Sequence, residues 1–385
     1  MRPILFLAPG LPPDVLATAR ILEKADLLDS LITRSVARFA NRPASPVARE
    51  RTEPKWMADL AFYFMLGVGK SRTRATDYSF HYMDRLASKR INKELGAVFA
   101  REDCCLQTFR RARDIGIPTI YQLPTAYWDK VRDLMQRELS KFGDICNAAT
   151  DPNEFSDERT ERKEAELKSA NRILCPSRFV RESLPVDRKS IAQTIPFAGE
   201  PRTTSAGSKP SKPMFLYVGN ITMRKGVHRL LTAWKELKAY QTHELRLVGD
   251  MFLSEKFLSD FRGTFTHLQR VSRADLDRHY REASALVFNS VADGFGQVIL
   301  EAMSVGTPVL ASRNSGAADV ITDHIDGLLF NYGDEEQFVT ALNWALSRPA
   351  ELAGLGKTAA ETARKRTWQD YGDELLAWMR PLLKT

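Results

Sequence analysis

The sequence predicts an α/β protein of two doubly wound units, and three observations carry that prediction. Its 385 residues exceed one ordinary domain and fit two of about 180–200 residues each. Short apolar runs of the buried-strand kind alternate with helical periodicities, as in parallel sheets with crossover helices. Residues 199–213, GEPRTTSAGSKPSKP, are small, polar and rich in breakers, which is the composition of a linker. The expected units are therefore 1–198 and 214–366, joined by 199–213 and followed by an amphipathic tail helix in 367–385.

Composition supports filled cores, with 43% hydrophobic and 27% charged residues and a net charge of +8. No apolar run approaches the ~20 residues of a transmembrane helix. The N-terminus, MRPILFLAPGLPP, is too short for a signal peptide and lacks a cleavage site. Cys104, Cys105, Cys146 and Cys175 have neither disulfide-framework nor metal spacing, and the six histidines are scattered. These features point to the reducing cytosol and to no zinc site. The positive charge is uneven, for residues 51–100 alone hold nine Lys and Arg against five Asp and Glu. Such a basic excess suits anionic lipid or a phosphorylated acceptor. No nucleic-acid-binding module accompanies it, so nucleic acid is not an expected partner.

In chain order, residues 3–9 read as an apolar strand. Gly10 then begins a turn before a helical pattern at Val15, Leu16, Ala19 and Leu22. A phosphate or sugar could approach backbone at Gly10, although an ordinary strand-to-helix turn looks the same. Residues 36–56, broken by Pro and Arg, read as a mobile basic loop. The apolar block 60–66, LAFYFML, follows Trp56-Met57 and is too short to span a bilayer. It reads as a buried helix, which its composition favours, or as a surface touching lipid or a greasy acceptor. A helix over 85–95, a strand over 96–100, a helix over 105–115 and a strand over 118–123 follow. A charged helix over 156–170 leads into NRILCPSRFV at 171–180 and then Ile195-Pro196-Phe197.

The second unit opens with the strand MFLYV and Gly219, followed by the loop NITMRKG at 220–226 and a helix over 227–237. Arg224 and Lys225 at that loop can neutralise a pyrophosphate, Arg as a planar fork and Lys as a point charge. A solvated basic loop has the same composition. The densest signal lies in 285–330. There a buried strand at 285–288 meets a turn carrying Asp293, Gly294, Phe295 and Gly296. A helix then runs to Gly306, a strand covers 307–311, and Asn314-Ser315-Gly316 opens another helix. Gly294 and Gly296 let backbone come close to a ligand. The N–H groups after Gly296, at Gln297 and Val298, suit a phosphate. Asp293 and Glu301 can both face the crevice beyond the strands' C-terminal ends. Spacing alone is equally consistent with a solvated helix start and face.

Asp293-Gly-Phe-Gly296, Glu301-Ala-Met and Gly306-Thr-Pro-Val309, with Ser315-Gly316 and Asp326-Gly327, resemble the signature of glycosyltransferase family 4. That resemblance implies the GT-B fold, two facing Rossmann-like domains holding a nucleotide sugar between them, and a C-terminal helix crossing back onto the first domain. The family pattern has two glutamates; here Asp293 stands first and Glu301 second. Lys225 falls on the family lysine, whereas Asn220 occupies the place of its arginine, so Arg224 is expected to supply part of the missing charge. A histidine the family often carries after the strand at 118–123 is absent, and Thr125 or Tyr127 would replace it. The segment 171–180 resembles the strand that ends the first domain. Backbone at 270–272, including Ser272, would meet the base. Asp275 and Asp277 superficially offer a metal-binding Asp-x-Asp, but residues i and i+2 diverge on a helix, so no metal is implied.

The implied activity moves a sugar from a nucleotide diphosphate donor to a glycan, lipid-linked or small-molecule acceptor. It would proceed with retention, without metal or further cofactor, in the cytoplasm and with peripheral membrane contact as an option. Arg224, Lys225 and Asp293 are the catalytic candidates. Gly10, Gly219, Asn220, Ser272, Gly294, Phe295, Gly296, Gln297, Val298 and Glu301 are the donor-binding ones. Lys225, Arg224 and helix amides would stabilise the leaving diphosphate, which could itself accept the acceptor's proton. Asp293 would hold the donor sugar and Glu301 the ribose. Three other readings stay open. A sugar-nucleotide epimerase would need acid/base residues facing the sugar. A dinucleotide oxidoreductase would need a Gly-x-Gly-x-x-Gly turn, which neither Gly10 nor Gly219 supplies. A silent nucleotide-sugar-binding scaffold is kept open by Asp293, Asn220 and the missing histidine.

Overall fold

The computed structural model describes residues 1–34, 52–54, 56–146, 155–199 and 211–384. They build two all-parallel sheets. The N-terminal sheet contains β1 (Ile4–Leu7), β2 (Leu28–Thr33), β3 (Thr52–Pro54), β4 (Ala97–Arg101), β5 (Thr119–Gln122), β6 (Arg172–Cys175) and β7 (Ala192–Thr194), in the order β3-β2-β1-β4-β5-β6-β7. The C-terminal sheet contains β8 (Met214–Val218), β9 (Glu244–Val248), β10 (Thr266–Leu268), β11 (Ala285–Phe288), β12 (Val309–Ser312) and β13 (Leu328–Phe330), in the order β10-β9-β8-β11-β12-β13. Each order reverses once, between β1 and β4 and between β8 and β11. Those switch points open crevices at the strands' C-terminal ends.

The strands form because their runs are apolar on both faces. Ile4 and Phe6 enter one core while Leu5 and Leu7 enter another, the two-residue period of a strand. Met214 and Leu216 divide from Phe215 and Tyr217 in the same way. The core holding Ile4 and Met214 is shared by both domains, and the helix Trp368–Met379 belongs to it through Tyr371, Leu375 and Met379. That helix lies on Pro13–Lys24, where the hydroxyls of Thr18 and Tyr371 meet at 3.0 Å. Gly372 faces Ile21 where any Cβ would be crowded.

Several expectations need correction. The helix expected at 85–95 runs from Arg72 to Ser88, starting earlier because Ser71 caps it by accepting from the Arg74 amide. β2 and the long helix Trp128–Phe142 were not expected at all. Most of the basic loop at 36–56 lies outside the described residues, but β3 pairs with β2 inside it. Most of the linker at 199–213 is likewise outside the described residues. The apolar block forms the helix Trp56–Gly67, and it is not core. Ala58 and Phe62 are buried, whereas Leu60, Tyr63 and Phe64 are 58–68% exposed. None of the described helices is long and apolar enough to cross a membrane.

Candidate active site

The loops after the C-terminal strand ends of the two sheets touch one another. Ser177, just beyond β6, donates its hydroxyl to the Gly294 carbonyl at 2.6 Å. A Cβ on Gly294 would lie 1.8 Å from the carbonyl oxygen of Pro124, just beyond β5. Beside them Arg178 donates from Nε to Asp319 Oδ1 at 2.8 Å and from its backbone amide to Oδ2 at 3.0 Å. The sheets therefore face each other by their C-terminal edges, and the acidic glycine loop sits on the seam. Glycine at 294 is needed for approach to the other domain's backbone, a use the expected ligand contact did not include.

Lys225 and Asp293 meet at this seam as a direct ion pair, although they are 68 residues apart. Two local features bring them together. Thr222 caps the turn Met223–Lys225 by accepting from the Lys225 amide at 3.3 Å. The following Gly226 has φ +71°, and a Cβ there would strike the Asn289 carbonyl. Val291 donates its amide to the Arg224 carbonyl at 2.9 Å, tying that turn to the loop after β11. Asp293 is placed by its own amide, which donates to the Asn314 carbonyl at 3.0 Å. Its Oδ1 accepts from the Phe295 amide at 3.3 Å. Burial pushes the Asp293 carboxyl up, but Lys225, then Arg224 and the Phe295 amide, outweigh it and hold the group below the usual aspartate range. It is a carboxylate at neutral pH.

Next to this pair begins the helix Gln297–Ser304. Its cap residue, Gly296, is left-handed with φ +85°, and no side chain caps the helix. The opening amides at Gln297 and Val298 therefore have the local chemistry of an anion site. The Gln297 side-chain nitrogen is buried without a hydrogen-bond partner among the described residues. One turn on, Glu301 accepts from the Tyr280 hydroxyl at 2.8 Å and lies 4.0 Å from Arg273. Ser272 caps the helix Arg273–Glu282, accepting from the Asp275 amide at 3.1 Å and donating to the Asp275 carboxylate at 2.6 Å.

The remaining candidates divide. Gly219 has φ +142°, and its carbonyl lies where a Cβ on Gly249 would fall. Asn220 is exposed, and its carbonyl accepts from the buried Tyr217 hydroxyl at 2.8 Å. Gly10 is exposed, with open space where a side chain would stand. Phe295 is buried and packs edge-on against Phe197, so its ring joins the domains. Val298 packs against the shared core. Thr125 borders Gly294. Tyr127 has its ring buried in the N-terminal core beside Trp128, and burial holds its hydroxyl proton more tightly. No group of three or more His, Cys, Asp or Glu arranged to hold a metal occurs among the described residues.

A second interdomain cluster carried no motif. Glu138, on the helix Trp128–Phe142, is buried against the C-terminal domain. It meets His228 Nε2 at 2.6 Å, Arg229 through Nε at 2.9 Å and Nη2 at 2.5 Å, and the Tyr332 hydroxyl. Arg229 also reaches Glu335 at 2.5 Å. The amphipathic period of 128–142 could have shown the helix, but no pattern within one segment shows which domain receives its buried acid.

Two Rossmann-like domains facing one another across their C-terminal strand ends define the GT-B class. Residues 203–365 match the family described as Glycosyl transferases group 1. Over 174 residues the chain is 30% identical to a sulfoquinovosyl transferase of Arabidopsis thaliana, covering 44% of this chain and 34% of that protein. It is 29% identical over 191 residues to a D-inositol 3-phosphate glycosyltransferase of Segniliparus rotundus, covering 46% and 42%. The chain thus spans less than half the length of these relatives. Among solved structures, sucrose-phosphate synthase from Thermosynechococcus elongatus superposes with a TM-score of 0.65 at 17% identity, covering 100% of both chains. Anabaena HepE in complex with UDP-glucose superposes with a TM-score of 0.63 at 15% identity, covering 99% of this chain and 100% of that one.

Proposed function

We propose that the protein is a glycosyltransferase that transfers a hexose from a nucleotide diphosphate donor with retention of configuration, using neither a metal nor a further cofactor. One observation carries the reading: Lys225 and Asp293 are paired beside the uncapped helix Gln297–Ser304, on the seam between the domains. A cation, a carboxylate and free amides converging there match a diphosphate joined to a sugar. The solved structure with UDP-glucose and the C-terminal family match support it.

In this reading the donor diphosphate competes with Asp293 for Lys225. Lys225, Arg224 and the amides of Gln297 and Val298 then stabilise charge on the departing diphosphate. Asp293, released toward the sugar, accepts from a sugar hydroxyl and stabilises positive character at the ring. Glu301, steadied by Tyr280, accepts from ribose hydroxyls. Among the described residues no second carboxylate is identified as a nucleophile with an acid partner, so a double displacement is not assigned. The departing phosphate oxygen takes the acceptor's proton. The acceptor, a glycan, a lipid-linked group or a small molecule, would enter along the N-terminal domain near Gly10 and Thr125.

The test is an assay of transfer and donor hydrolysis with UDP-, GDP- and ADP-sugars. Release of one nucleotide diphosphate is expected, unaffected by chelation of divalent ions. A protein that binds a nucleotide yet neither transfers nor hydrolyses any of the donors would instead be a nucleotide-sugar-binding scaffold.

A further inference from the structure

We propose that the helix Trp56–Gly67 and the turn after it form a docking face for an anionic phospholipid bilayer. Large exposed hydrophobic side chains are normally scattered. Here seven of the eleven among the described residues fall within 57–78. Met57, Leu60, Phe64 and Val68 follow one another at helical spacing along one stripe, with Tyr63 beside it. The stripe is separate from the packed side of the helix. Ala58 and Phe62 are buried there, and the Ala58 carbonyl accepts from the Ser79 hydroxyl at 2.6 Å. The exposed stripe thus lies away from the packed side, and the fold touches it at its start, where Met57 Sδ accepts from the Tyr82 hydroxyl at 3.9 Å.

Charge selects the occupant. Between residues 57 and 90 all six cations, Lys70, Arg72, Arg74, Arg85, Lys89 and Arg90, are exposed. The three acids of the same stretch, Asp59, Asp77 and Asp84, are turned inward to Arg34 at 3.0 Å, Arg159 at 3.3 Å and Arg162 at 2.7 Å. Within this stretch the exposed groups are thus an apolar stripe and six cations with no exposed acid, and an exposed acid near it is Glu158, beside Asp77 on the neighbouring helix. A second copy docked by the same face would set cation against cation. An anionic headgroup layer over acyl chains complements both features. At 12 residues the helix is about 18 Å long, too short to span a bilayer, so it would lie in the interface.

The helix starts just beyond the C-terminal end of β3, on the sheet edge that faces the other domain. A bilayer held there would present its headgroups at the mouth of the cleft. That consequence, a membrane-borne acceptor, rests on the transferase reading, whereas the docking itself does not.

The test is sedimentation of the full chain with two kinds of vesicle, phosphatidylcholine alone and phosphatidylcholine with phosphatidylglycerol in equal parts. Nucleotide diphosphate affinity is measured on the same preparations. The protein is expected to pellet with the anionic vesicles at low salt, to stay in solution with the neutral ones, and to be released as salt rises. The double substitution Leu60→Ser with Phe64→Ser, and separately Lys70→Glu with Arg72→Glu, should each weaken vesicle binding about tenfold or more. Nucleotide affinity should not change, since these positions are exposed and none of them is among the residues placed at the donor site. The proposal is overturned if the parent stays in solution with anionic vesicles at low salt, or if both double variants bind as well as the parent. It is also overturned if the parent is a dimer that Leu60→Ser with Phe64→Ser converts to monomer, because the face would then be filled by a second copy. Loss of nucleotide binding in the parent would count against the transferase reading and leave the docking result standing.

Discussion

Lys225 and Asp293 belong to different strand-to-helix connections, and each is aimed by a backbone feature of its own: the Thr222-capped turn before Gly226, and the Asn314 carbonyl behind the acidic loop. Their pairing fixes the protonation state of the site. The Asp293 pKa is depressed in the fold, so its contribution to stability is present above the unfolded value of 3.8 and is lost only as pH falls below it. Activity lost between pH 7 and 5 would therefore have to come from another group. Lys225→Ala should weaken nucleotide diphosphate binding by about 1.5–3 kcal/mol, the range for a hydrogen bond to a charged group. Titration calorimetry checks this, and an affinity equal to the parent's would remove Lys225 from the phosphate site. The same variant leaves Asp293 without its cation, so a lower melting temperature is expected alongside.

Among the elements, the acidic glycine loop and the helix behind it show how a candidate site segment doubles as a domain contact. A methyl on Gly294 has no room against the Pro124 carbonyl, and backbone cannot yield as a flexible side chain can. Gly294→Ala should cost about 1–3 kcal/mol, the range for overpacking, and should also weaken donor binding by spreading the seam. Thermal unfolding and calorimetry on the one variant would show both effects. A melting temperature within error of the parent's would mean that the two loops are not in contact in solution. Much of the element order was readable because the buried strands are uninterrupted apolar runs. Ala285–Phe288 and Met214–Val218 lie where their patterns place them, and Asp293, Gly294 and Lys225 stood out through glycine and charge at strand ends. What the sequence concealed depends on partners distant in the chain. Nothing near 58–66 says that Phe62 is covered while Tyr63 and Phe64 are not. Gly294 looks like any ligand-facing glycine until Pro124 is placed beside it. Tyr127 looks accessible until its ring is seen beside Trp128 in the core.

At the scale of the whole molecule, three of the contacts among the described residues that hold the domains together stand out. They are the Ser177–Arg178 contacts to Gly294 and Asp319, the shared core around Phe197, Phe295 and Tyr371, and the Glu138 cluster. The last is the acid-sensitive one. Burial pushes Glu138 up, but hydrogen bonds from His228, Arg229 and Tyr332 outweigh it and bring it down from 4.5 to about 2. Burial also lowers the His228 pKa from 6.5, against the pull of Glu138. His228 is thus neutral in the fold, with its Nε2 proton donated to the carboxylate. Both depressed values act in one direction: the folded state binds fewer protons than the unfolded one, so stability falls as pH drops. The loss should begin near 6.5 with His228 and continue below 4.5 with Glu138. Glu138→Ala leaves Arg229 buried without its main partner and should cost about 3–5 kcal/mol. Urea unfolding across this pH range would show it, together with a flatter acid limb in the variant. A slope equal to the parent's would place the acid sensitivity elsewhere.

The central claim is that one donor spans Asp293 and Glu301, with its sugar at the first and its ribose at the second. The measurement that tests it most directly compares transfer rate and product-nucleotide affinity in Asp293→Ala and Glu301→Ala, using whichever sugar nucleotide the parent accepts. A carboxylate facing developing positive charge contributes more in the transition state than in the ground state. Asp293→Ala should therefore lower turnover by about 10²–10³-fold without weakening affinity for the sugar-free product, which gains access to a Lys225 no longer paired with Asp293. Glu301→Ala should weaken product affinity as well, because donor and product share the ribose. Parental turnover in Asp293→Ala, or parental product affinity in Glu301→Ala, would contradict the assignment.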